Sequence, residues 1–144
     1  MFQNILVALD LNEPTVELLL YAEEIAKRFD AKLWLVHIAA PDPDFVGYEP
    51  GPQYVRDYRA EELRKEHQQL QDLARTFENN VIQAEGLLIE GATTEMIVGE
   101  CKKLNIDLIC MYHHQHPWWQ ELLGSHTDFH VIEKTKVPVL TVPI

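Results

Sequence analysis

Asp107-Leu-Ile-Cys-Met-Tyr-His-His-Gln-His-Pro-Trp-Trp-Gln-Glu-Leu-Leu-Gly-Ser125 is the stretch on which the reading of this chain turns. It begins as a short apolar run, Leu108 to Met111, of the kind that forms a strand buried on both faces. The run becomes polar at Tyr112 and carries His113, His114 and His116 before Pro117 and the pair Trp118-Trp119. Gly124-Ser125 then opens a helix predicted to run from about residue 125 to about residue 133. A buried strand, a loop and a helix N-terminus in that order mark the place where open α/β sheets hold their ligands.

Outward from that stretch the chain alternates strands and helices. Asn4-Ile-Leu-Val-Ala-Leu9 is a second apolar run, with Asp10 at its C-terminal tip. Asn12 suits a helix N-cap and Pro14 a first turn. Leu18, Leu19, Ala22, Ile25, Ala26 and Phe29 recur at helical spacing, which predicts an amphipathic helix over residues 13–29. Leu33-Trp-Leu-Val-His-Ile38 is the next buried strand, and His37 inside it reads as a hydrogen-bonded core or strand-end histidine rather than a ligand. Pro41, Pro43, Pro50 and Pro52 with Gly47 and Gly51 define a long loop. Phe45, Tyr48 and Tyr54 in that region either cover a cleft or pin the loop down.

Residues 55–79 are highly charged and read as a long helix with a narrow apolar stripe, Leu63, Leu70, Ala74 and Phe77, with His67 in phase. A strand over 81–89 follows, then a turn at Glu90-Gly91. A helix over 92–104 turns Met96, Ile97 and Cys101 inward and ends at Asn105. The chain closes on Val137-Pro-Val-Leu-Thr-Val-Pro143, whose prolines suit an edge strand. This alternation predicts one α/β domain over residues 1–144, with a mainly parallel sheet covered on both faces. An apolar C-terminal edge calls for a cover, and the same strand of a second copy supplies one, giving a C2 homodimer.

With 144 residues, 47% of them hydrophobic, the chain has enough apolar content to close one core. Its formal charge of -11 argues against nucleic acid or an anionic membrane as partner. Cys101 and Cys110 have no metal-like spacing and read as core thiols in a reducing compartment. The apolar runs are short for a membrane span and no basic leader precedes the first, so a cytoplasmic protein is expected.

Taken together, Ile5-Leu-Val-Ala-Leu-Asp10, Leu35-Val-His-Ile38, Glu90-Gly91-Ala92, Asp107-Leu-Ile-Cys-Met111 and Val137-Pro-Val-Leu-Thr-Val-Pro143 resemble the universal stress protein family in order and spacing. The resemblance covers essentially the whole chain. It implies a single three-layer, flavodoxin-like or Rossmann-like domain (adenine nucleotide alpha hydrolase-like), with five strands in the order 3-2-1-4-5. It also implies dimerisation through the final strand and a cytoplasmic role in stress or growth arrest. One branch of the family binds ATP through a G-x2-G-x9-G-[ST] loop after strand four, where bare backbone approaches the phosphates. The A-type branch carries His-His-Gln there.

This sequence departs from the ATP pattern and matches the A-type branch at His113-His114-Gln115. Counted back from Gly124, the two earlier glycines become Met111 and His114; counted from the strand end, they become Tyr112 and Gln115. Both registers lose backbone access, so no cofactor is expected. The alternative is ATP or AMP held by what remains of a nucleotide site: Asp10, the Ile38 backbone, Gly124 and Ser125. Asp10 reads equally as a loop or capping residue, and Gly124-Ser125 as an ordinary helix start.

His113, His114 and His116 cluster, and His126 and His130 stand at i, i+4, a spacing that can hold zinc. No designated carboxylate or thiolate accompanies them, and they read as loop and surface histidines rather than a metal site. They offer a second possibility, a group response to acidification. Trp118 and Trp119 read as packing residues that stiffen the loop, or as a partner surface. Ser125 lacks a G-x-S-x-G elbow, and no catalytic residue or enzyme activity is expected. The expected protein is a dimeric interaction or sensing module with an unidentified protein partner.

Overall fold

The fold was obtained as a computed structural model that describes residues 1–39, 52–91, 93–113 and 127–143. Five strands form one parallel sheet: β1 (Asn4–Leu9), β2 (Lys32–Ala39), β3 (Ala84–Glu90), β4 (Leu108–His113) and β5 (Val139–Pro143). Their order is β3-β2-β1-β4-β5, as expected. The described helices are α1 (Val16–Phe29), α2 (Gln53–Asn79), α3 (Thr93–Lys103) and α4 (Thr127–Lys134).

Side-chain alternation along the central strands sorts the core into two layers. Ile5, Val7 and Leu9 of β1 join Leu33 and Leu35 of β2 under Leu18 and Ala22 of α1 and Leu70, Ala74 and Phe77 of α2. Leu6, Val36 and Ile109 point the other way, onto Ile97 and Cys101 of α3 and Val131 of α4. Ile5, Leu6 and Val7 are all fully buried, which is why β1 reads as an unbroken apolar run.

Asp107 ties the start of β4 to the start of β1. Its Oδ2 accepts the Gln3 N–H at 2.7 Å and its Oδ1 the Asn4 N–H at 3.2 Å. Across the sheet, α2 lies tight on β3: a Cβ added at Gly86 would meet the Leu70 carbonyl oxygen at 2.8 Å. The Gln71 amide donates to the Gly86 carbonyl at 3.0 Å. The Leu33 N–H goes to the Gln83 carbonyl and the Gly91 N–H to the Ala39 carbonyl. That alternation turns Gly86 away from β2, so Gln71 covers an outward carbonyl of an edge strand.

Several boundaries differ from the sequence expectations. Helix α1 starts at Val16, with Thr15 at the N-cap and no side-chain cap bond. Asn12 is instead drawn back toward Asp10. Strand β3 begins at Ala84 because Val81 leaves α2 through a left-handed turn, φ 65°. The Ile82 N–H returns to the Phe77 carbonyl at 3.1 Å, closing the helix as glycine usually does. His67 proves exposed, whereas Glu66 is half-buried, because the turn before Leu70 brings residue 66 inward. Asn105 does end α3 in the left-handed region, φ 52°, with the Ile106 N–H on the Cys101 carbonyl. The expected loop residues Phe45 and Tyr48 lie outside the described residues, and Tyr54 is exposed on the first turn of α2.

A β-branched residue in the left-handed region carries a steric cost that asparagine largely escapes. Val81 is 93% exposed, so replacing it loses almost no packing. Val81→Asn is expected to stabilise the fold by about 1 kcal/mol, read from the urea midpoint at unchanged m-value.

Candidate functional site

The strand order reverses between β1 and β4, and the crevice beyond their C-terminal ends is the ligand position of such sheets. Asp10, at the tip of β1, is exposed. Its Oδ1 accepts the Asn12 N–H at 2.9 Å and the Asn12 side-chain amide at 3.1 Å, and its own carbonyl accepts the Glu13 N–H. Asp10 therefore shapes the β1–α1 turn while keeping a solvent-facing carboxylate. Ile38, on β2, lies one residue past the last β1–β2 pair, Leu9 with His37, and its side chain packs on the α3 side.

At the tip of β4, the phenol ring of Tyr112 is buried within the α1–α2 layer of the core. Its Oη accepts the N–H of Leu18, in the first turn of α1, at 3.3 Å. That N–H has no acceptor within its own helix, and no side chain of the preceding turn supplies one. Tyr112 reaches across the crevice and caps α1 from another strand. Met111 is also buried, on the opposite face. Whichever register aligns the missing glycine loop, its first glycine is replaced by a side chain that fills the interior.

Of the other residues singled out in the sequence, His113 is half-buried at the end of β4, paired in register with Pro143. His130 is exposed, 3.8 Å from Glu133. His114, Gln115, His116, Pro117, Trp118, Trp119, Gly124, Ser125 and His126 lie outside the described residues. Among the described residues no three His, Cys, Asp or Glu side chains come together as metal ligands.

Both thiols are core groups. Burial, with the charge of Glu100 adding to it, pushes Cys101 up to about 11. Burial alone pushes Cys110 up to about 12. Neither is a nucleophile at neutral pH.

Sequence reasoning missed two site-end features. In the sequence Tyr112 stands out by its bulk, and nothing there marks it as the acceptor that caps α1. Glu66 is as close to the 3.6-residue stripe of α2 as His67 is, and that stripe is the signal that points to it. His37 is buried as expected, with Nδ1 3.0 Å from the Leu9 carbonyl.

The profile of the Universal stress protein family matches residues 1–143. The chain belongs to this family. A universal stress protein A homolog from Haemophilus influenzae is 31% identical over 146 residues, spanning 100% of this chain and 98% of that one. The crystal structure of a universal stress protein family member from Burkholderia pseudomallei superposes with a TM-score of 0.71 at 23% identity. The match covers 99% of this chain and 97% of that one. A universal stress protein family member from Arabidopsis thaliana, crystallised with AMP bound, gives a TM-score of 0.64 at 16% identity, covering 98% and 91%. The universal stress protein fold is thus common to all of them, and in this member the tip of β4 is occupied by Tyr112.

Removing the phenol oxygen would leave the Leu18 N–H buried without an acceptor. Tyr112→Phe is therefore expected to lower stability by about 1–3 kcal/mol while leaving the far-UV circular dichroism unchanged.

Proposed function

We propose that this universal stress protein works as a dimeric, cytoplasmic interaction or sensing module in the stress or growth-arrest response, without tight ATP binding and without an enzymatic step. The supporting observation is the buried Tyr112 ring, whose hydroxyl already takes up an N–H at the positive end of α1. A polyphosphate needs free N–H groups and bare backbone at such a tip. Here a phenol takes one of those groups, and Met111 fills the other face. His113-His114-Gln115 in place of the glycines agrees with an A-type reading.

A second reading keeps adenine-nucleotide binding with slow hydrolysis, through Asp10, the Ile38 backbone, Gly124 and Ser125. What favours it is the exposed Asp10 carboxylate together with the AMP found in a fold relative. Calorimetric titration with ATP and with AMP, on protein whose absorbance ratio shows no copurified nucleotide, separates the two. The first reading expects no binding tighter than about 1 mM, and a gain of binding in the Tyr112→Gly/Gln115→Gly variant. Micromolar affinity in the unaltered protein would overturn the first reading and establish nucleotide binding.

The dimer is proposed to form along β5. The Ile109 N–H bonds the Pro138 carbonyl, which turns Val139 and Thr141 outward from β4. Pro143, on the same outward phase, has no N–H to offer. Thr141→Pro would delete the outward donor at the middle of β5 and spare the bonds to β4. Light scattering coupled to size exclusion is expected to show the native protein as a dimer and Thr141→Pro as a folded monomer.

A further inference from the structure

The Oε2 of Glu66 is buried and has no hydrogen-bond partner among the described residues. Beside it, 3.9 Å away, stands the Nε2 of His37, whose side chain is 7% exposed. The other ring nitrogen, Nδ1, lies 3.0 Å from the Leu9 carbonyl oxygen. A carbonyl only accepts, so Nδ1 carries a hydrogen. With that hydrogen alone on the ring, Nε2 turns a lone pair toward a carboxylate oxygen, and two acceptors meet out of water. Such an arrangement is unfavourable for both groups. One proton on Nε2 converts it into a charge-assisted hydrogen bond, after an approach of about 1 Å.

We propose that His37 and Glu66 form a proton-operated latch that fastens α2 to the C-terminal ends of β1 and β2. On α2, Arg59 lies 3.6 Å from Glu62, one turn before Glu66, and so faces another carboxylate. Arg64 and His67 lie along the β3 side of the helix, where they border a shallow groove with Leu88 and Glu90. Leu88 is the β3 residue paired with His37, and Glu90 is exposed beyond it. On β1, Asp10 follows Leu9 and is exposed, and Glu13 and Glu17 begin the α1 side. No described cation stands closer to Glu66 than the His37 ring among the ion pairs of this end of the sheet. The latch adjoins the candidate site directly: Leu9 precedes Asp10, and Ile38 follows His37.

Long-range nitrogen–proton spectra of the full chain near pH 7 test the latch. The expected result is His37 with both ring nitrogens protonated, and the neutral Nδ1–H form in Glu66→Gln, whose amide can donate to Nε2 instead. A latch closed by proton uptake stabilises more at low pH than at high. The melting advantage of the native protein over Glu66→Gln, about 3 °C near pH 6, is therefore expected to vanish near pH 8.5. A neutral His37 ring in the native protein near pH 7, as a water bridging the two acceptors would produce, overturns the proposal. So does an imidazole spectrum unchanged by Glu66→Gln. If that variant does not fold, the native spectrum decides alone.

Discussion

Strand β1 has no solvent-facing side. Ile5, Leu6 and Val7 are wholly enclosed, with β2 on one side, β4 on the other and helices over both faces. Backbone groups in such a place can be satisfied only by neighbouring strands, so the pairing of β1 with β2 and β4 is obligatory rather than merely favourable. The two-layer core follows from it. So does the location of the crevice, since reversal of strand order beside β1 leaves one gap between strand ends.

Tyr112 stands at the end of β4 beside that gap. The β1–α1 turn is held by Asp10 and Asn12, which leaves the start of α1 without a local cap. Tyr112 supplies the acceptor from a strand distant in sequence. One side chain thus packs the core and finishes a helix. A glycine at the same position would do neither and would leave an anion-receptive helix end open.

The architecture was legible because its signals are redundant. Four of the strand runs are largely apolar, and three of the helices carry an apolar stripe, so an error of a residue or two at any boundary leaves the topology intact. The caps and the buried polar pair were less legible, because each depends on one contact between residues far apart in the chain. Asn12 has the right chemistry for an N-cap, yet Asp10, two residues away, competes for it. Glu66 and His67 are adjacent on the same helix, and only the seating of α2 on Gly86 decides which faces inward. Val81 sits where a sequence reader expects a strand to start; its backbone is turned by the closure of α2. Gly124 and Ser125, the last part of the candidate site, lie outside the described residues.

The bond from Gln71 to Gly86 has a bearing on how large an assembly can grow. A sheet with two sticky rims can be extended from either side, and copies adding at both would make a fibre. Here the helix drapes an amide over the middle of one rim, while β5 forms the opposite rim. If copies join along β5 as proposed, a covered β3 leaves a single joining side, and growth by strand addition would terminate at a closed pair.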